Sequence, residues 1–103
     1  MKRVKITVLK TEYDPVLAEK YLTEGDVGPG PIHKPGQVFW YEGGAEMPEG
    51  FCPWAWVDLF RAVHAKAGNV ENTWYKPGVS IACCTDGIRP VIFELSTIEK
   101  PDS

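Results

Sequence analysis

The residues best equipped for chemistry are three thiols, Cys52, Cys83 and Cys84. Cys52 directly precedes Pro53 and a helical pattern, so it takes the N-cap position that Ser, Thr, Asp or Asn usually fills. A thiolate there is favoured by unpaired backbone N–H groups and by the positive end of the helix dipole. That placement activates thiols in many enzymes. Cys84 precedes Arg89 in one short segment, a second cationic neighbour. With His33, the three thiols form a ligand set, Cys52, Cys83, Cys84 and His33, suited to zinc or iron in tetrahedral geometry.

The spacing tempers this. The short cysteine pairs of most zinc and redox motifs are absent. Adjacent cysteines on a strand point to opposite faces, which works against Cys83 and Cys84 sharing an ion. His64 lies twelve residues after Cys52, roughly 18 Å along a helix rising about 1.5 Å per residue. It falls outside any site built on Cys52. A redox pair would need Cys52 to meet Cys83 or Cys84 through the fold. The alternative role is structural, since buried cysteine packs as a small hydrophobe, and the strand pattern assigns that role to Cys83.

Asp86, Arg89 and Trp54 complete the candidate site. Asp86 beside Gly87 suits a turn in which the carboxylate caps its own backbone. An Arg89 turned toward the core needs an anionic partner, for which Asp58, Asp86 and a bound anion are the choices. Trp54 and Trp56 lie about 200° apart around a helix, so Trp56 joins the core and Trp54 does not. Together with Phe39, Trp40, Tyr41 and Trp74, an exposed Trp54 suggests an aromatic patch and self-association. The run Gly25-Asp26-Val27-Gly28-Pro29-Gly30 lacks the Lys-Ser/Thr ending of a phosphate loop.

These residues need elements to hold them. Val4, Ile6 and Val8 alternate with Arg3, Lys5 and Thr7, the pattern of a half-buried strand. Asp14-Pro15 opens a short helix over 15–22. From Thr23 to Gly50, 11 of 28 positions are Gly or Pro. That long loop embeds a strand at Gln37–Tyr41. Trp56, Leu59, Phe60, Val63 and Ala67 make an apolar stripe on a helix over 53–67, stopped by Gly68-Asn69. Val79–Cys83 and Arg89–Leu95 read as a hairpin around Asp86-Gly87. Placing Val79, Ile81 and Cys83 on the same face as Val91, Phe93 and Leu95 pairs Cys83 with Arg89. Cys84 then sits at the loop tip.

The chain of 103 residues is one domain, 44% hydrophobic and 24% charged, with a net charge of −3. That balance excludes coiled coil and wholesale disorder, and it lacks the basic excess of a nucleic-acid binder. Lys5 and Thr7 interrupt the apolar run that a signal peptide needs. No stretch approaches the ~18 apolar residues of a membrane span. An odd thiol count fits a reducing compartment, so the expected setting is the cytoplasm.

Two strings are specific enough to suggest kinship. They are Pro48-Glu49-Gly50-Phe51-Cys52-Pro53-Trp54-Ala55-Trp56 and Cys83-Cys84-Thr85-Asp86-Gly87-Ile88-Arg89-Pro90-Val91-Ile92-Phe93. With Val4-Lys5-Ile6-Thr7-Val8-Leu9 and Gly36, they resemble a family of small proteins from anaerobic bacteria and archaea that has no established activity. The resemblance implies a stand-alone intracellular domain. It also implies a further cysteine before Gly36, where this chain reads Pro29-Gly30-Pro31-Ile32-His33-Lys34.

The expected fold is α+β: about four antiparallel strands under one main and one short helix, with a long Gly/Pro-rich loop around them. Two functions stay open. One is a binding or interaction module, oligomeric, with mainly structural cysteines. The other is a thiol-dependent metal-binding or redox protein using Cys52 with Cys83 or Cys84.

Overall fold

The computed structural model describes residues 2–29 and 32–98. Its elements run β1 (Arg3–Thr11), α1 (Pro15–Tyr21), β2 (Val38–Tyr41), α2 (Pro53–Ala67), β3 (Val79–Cys83) and β4 (Val91–Ile98). The strands form one antiparallel sheet in the order β2-β1-β4-β3. The fold is therefore the small α+β architecture that the sequence predicts. No helix among the described residues is long and apolar enough to cross a membrane.

Alternation in β1 buries Val4, Ile6 and Val8, and the same face collects Tyr41 of β2 with Val91, Phe93 and Leu95 of β4. Helix α2 lies on this face. Its buried seam is Ala55, Leu59, Val63 and Ala67, a four-residue repeat that follows the helical period. The stripe predicted through Trp56 is rotated: Trp56 and Phe60 are half-buried flanks of the core. A small residue at position 55 lets the head of the helix approach the sheet where an indole would hold it off. The seam also buries Lys66, whose Nζ lies 3.0 Å from Glu71 Oε2. Pairing is what makes a buried ammonium tolerable.

The ends of α2 follow local rules. Pro53 opens it after Cys52. At the far end Asn69 takes the left-handed conformation (φ 67°). The Val70 N–H donates to Ala65 O at 3.0 Å and the Asn69 N–H to Lys66 O at 3.1 Å, a Schellman stop built on Asn rather than Gly. Helix α1 is capped as expected, with the Leu17 N–H donating to Asp14 Oδ1 at 2.9 Å. It buries only Ala18.

The hairpin corrects the predicted register. Cys83 pairs with Ile92, not Arg89. The inward face of β3 carries Ser80 and Ala82, and the strand's run leads on to Cys84, which is 6% exposed. Cys83 is exposed on the opposite face, together with Ile81 at 43% exposure. The two thiols thus exchange the places expected of them. The reason is packing under α2. Ala82 lies opposite Phe93 and Ser80 opposite Leu95, so small residues on the edge strand leave room for the large ones on β4. A parity argument from hydrophobicity alone cannot see this, because an edge strand need not bury its bulkier side. Pro90 falls in the loop, outside the ladder.

The aromatic patch is not assembled either. Tyr41 faces the core and Phe39 packs against it. Trp40 lies on the uncovered face, with the Arg3 guanidinium 4.3 Å from its ring centre.

Candidate functional site

The hairpin loop between β3 and β4 is held from three directions. Within the loop, Asp86 Oδ1 accepts the N–H groups of Ile88 (3.0 Å) and Arg89 (2.9 Å), while Oδ2 accepts Arg89 Nε at 3.3 Å. From α2, Asp58 Oδ2 accepts both the backbone N–H and the hydroxyl of Thr85, each at 2.9 Å. From the connection between β1 and α1, the N–H groups of Glu12 and Asp14 donate to Pro90 O and Ile88 O. Asp86 is thus the turn cap and the partner of Arg89, and Asp58 serves Thr85 instead. Burial pushes the Asp86 carboxyl up, but the Arg89 and Ile88 N–H groups and the Arg89 guanidinium together hold it below the usual carboxylate range.

The loop so fixed faces the first turn of α2 across a cavity of about 290 Å³. Its walls are Cys52, Trp54 and Ala55 from the helix head, and Cys84, Asp86, Arg89 and Val91 from the hairpin, with Ile32 and His33 from the long loop. The structure therefore brings together Cys52, Cys84, Asp86, Arg89, Trp54 and His33 of the sequence candidates, and leaves out Cys83. Three wall residues were not anticipated. Val91 and Ala55 had a signal: the inward parity of β4, and the four-residue step from Leu59. Ile32 had none, because its loop has no periodicity.

The two thiols in the wall differ. Cys84 is structural in its contacts: its N–H donates to Val91 O at 3.2 Å, and its Sγ accepts the Val91 N–H at 3.3 Å. That pair extends the ladder by one step. Cys52 is half-buried, and its side chain makes no capping bond to α2. The N–H groups of the first turn consequently have no side-chain acceptor at the cap.

His33 is 3% exposed, packed against Phe39, Phe51 and Phe93 with ring centres 4.8 to 5.4 Å away. Its Nε2 accepts the Cys52 backbone N–H at 3.2 Å. Burial pushes its pKa below the ordinary imidazole value, and the Gln37 side chain, outside hydrogen-bonding geometry to the ring, opposes this only in part. A neutral ring that accepts at Nε2 carries its proton on Nδ1. That Nδ1 is buried without a hydrogen-bond partner.

The unfolded chain protonates its imidazole near the ordinary ~6.5, above the depressed pKa of the folded state. The contribution of His33 is intact above ~6.5 and is lost as pH falls from there toward the folded pKa. The urea midpoint is expected to drop between neutral pH and pH ~5, and His33→Phe is expected to flatten that drop. Parallel pH profiles for the two proteins would overturn the assignment.

The metal expectation does not fit this arrangement. Among the described residues no group of three or more His, Cys, Asp or Glu side chains is placed to hold an ion. Cys83 sits on the far face of the sheet, His33 Nε2 is engaged by Cys52 N–H, and Cys84 Sγ accepts from Val91. No family model, curated protein or solved structure matches the chain, so the resemblance to small proteins of anaerobes rests on its motifs alone.

Proposed function

We propose that the protein is a small-molecule binding module whose ligand occupies the cavity between the head of α2 and the β3–β4 loop, with mainly structural cysteines. The cavity itself carries this reading. Binding sites are concave, largely apolar and furnished with a few convergent polar groups. This one has Ile32, Ala55, Val91 and the Trp54 indole around Arg89 and Asp86. Its volume of about 290 Å³ suits a small ligand. The loop opposite the helix is tied down by Asp58 and Asp86, so the walls are preformed, which spares a ligand the entropy of ordering them.

In a titration of the ¹⁵N-labelled chain with small amphiphilic compounds, shifts are expected to cluster at Cys52, Trp54, Ala55, Cys84 and Arg89. Shifts confined to other surfaces would sink the reading.

A thiol-dependent role through Cys52 is the second reading. It is supported by the Cys52 thiol standing in the same cavity wall as Cys84 without a capping bond. Iodoacetamide separates the two readings. As a structural set, Cys83 is modified first and Cys84 only on unfolding. Preferential modification of Cys52, ahead of exposed Cys83, supports the second reading instead. We place the module in the cytoplasm, where unpaired thiols stay reduced. Val38, Trp40, Ile81 and Ile98, all 37–43% exposed on the sheet, support self-association. Light scattering that gives a monomer at micromolar concentration removes that part.

A further inference from the structure

We infer that the ligand of the cavity is a small apolar molecule ending in a carboxylate, an inference that rests on the cavity being the binding site. The hydrogen-bonding groups of the wall divide into those already engaged and those left open. Asp86 has both oxygens engaged, Oδ1 by two backbone N–H groups and Oδ2 by Arg89 Nε. Cys84 Sγ accepts the Val91 N–H. The only side-chain oxygens of the wall, those of Asp86, therefore each already hold a donor.

The donors are not. The Arg89 guanidinium is bound only through Nε, and its terminal nitrogens have no acceptor among the described residues. The first-turn N–H groups of Trp54 and Ala55 lack a side-chain cap, at the positive end of a fifteen-residue helix. Beside them lies His33, whose Nε2 accepts the Cys52 N–H, so that ring offers the cavity no acceptor. A pocket with donors left over and acceptors occupied selects a ligand that brings oxygen acceptors.

Three features narrow the class. The rest of the wall (Ile32, Trp54, Ala55, Val91) is apolar, so the ligand needs a hydrocarbon body. A planar carboxylate matches the paired N–H groups of a guanidinium. The charge balance favours one negative charge over two, because the Asp86 carboxylate is itself in the wall. A phosphate monoester would bring nearly two charges beside it.

The test is calorimetry on the full chain with hexanoate, hexan-1-ol, hexyl phosphate and acetate. Hexanoate is expected to bind at least about tenfold more tightly than hexanol or acetate, the scale of a lost charge-assisted hydrogen bond. Arg89→Gln is expected to weaken hexanoate about tenfold more than it weakens hexanol. On the native protein, raising ionic strength from about 0.01 M to 1 M should weaken hexanoate and spare hexanol, a reading that needs no variant. Equal affinity for hexanol and hexanoate overturns the carboxylate while the cavity reading stands. Tighter binding of hexyl phosphate overturns it in favour of a phosphate. If none of the four shifts the amides of Cys52, Trp54 and Arg89, the cavity reading itself falls.

Discussion

Truncating Phe93 to alanine is expected to cost about 3–5 kcal/mol, the range for large aromatic deletions in cores. Phe93 is 0% exposed. It lies opposite Val8 on β1 and Ala82 on β3, with ring centres of His33 and Phe51 each 5.4 Å away. No neighbour is free to collapse into the space: the facing residue on β3 is already an alanine, and the Phe51 and His33 rings are held by their own contacts. A domain of this size has only ~5–15 kcal/mol in total, so the variant loses a large share of it. The companion substitution is Ile92→Ala. Ile92 is adjacent in sequence but half-buried on the uncovered face. It is expected to cost much less, by urea denaturation of both proteins. Comparable losses would mean that the face assignment of β4, and with it the hairpin register, is wrong.

Asp58→Ala is the second large effect. One carboxylate oxygen accepts two bonds from Thr85, and nothing else ties the helix side of α2 to the hairpin loop by a charged group among the described residues. Hydrogen bonds to charged groups contribute ~1.5–3 kcal/mol when enclosed. This pair is wetted, so the expected cost is roughly 1–2 kcal/mol. The functional consequence is of similar size in free energy, since tenfold in affinity is about 1.4 kcal/mol. The released loop carries Cys84, Asp86 and Arg89, which form one side of the cavity. Hexanoate binding is expected to weaken by at least about tenfold, while the far-UV circular dichroism stays native. Thr85→Val should reproduce much of the effect, and the double variant should cost little more than the larger single, since the two residues share one interaction. Full ligand affinity in Asp58→Ala would show that the loop holds its position without the helix.

The thiol-dependent reading depends on Cys52 alone once Cys83 and Cys84 are accounted for. Cys83 is exposed on the sheet face away from α2, and Cys84 is committed to Val91. Neither is arranged as a partner in a three-ligand metal group. What remains chemically open is a single half-buried thiol in the wall of a cavity that Arg89 also lines. That arrangement is as well suited to packing against a ligand as to reacting with one, and the alkylation order distinguishes the two.

The local patterns were legible in the chain itself. Alternation wrote β1, Asp14-Pro15 and Cys52-Pro53 marked the helix starts, and Gly68-Asn69 marked the stop, because capping and periodicity are properties of a few consecutive residues. The residue types alone also grouped Cys52 and Trp54 with Cys84, Asp86 and Arg89 as one candidate site. Three matters were decided only when the chain closed on itself. The hairpin register shifted because small residues at 80 and 82 let α2 and β4 share the space. His33 became a buried ring clasping the Cys52 N–H because three phenylalanines from separate segments converge on it. The Thr85 tether to Asp58 spans 27 residues. Sequence spacing encodes contacts between near neighbours. Which face of an edge strand turns inward, and which polar groups find partners, depends on the volume left by residues far along the chain.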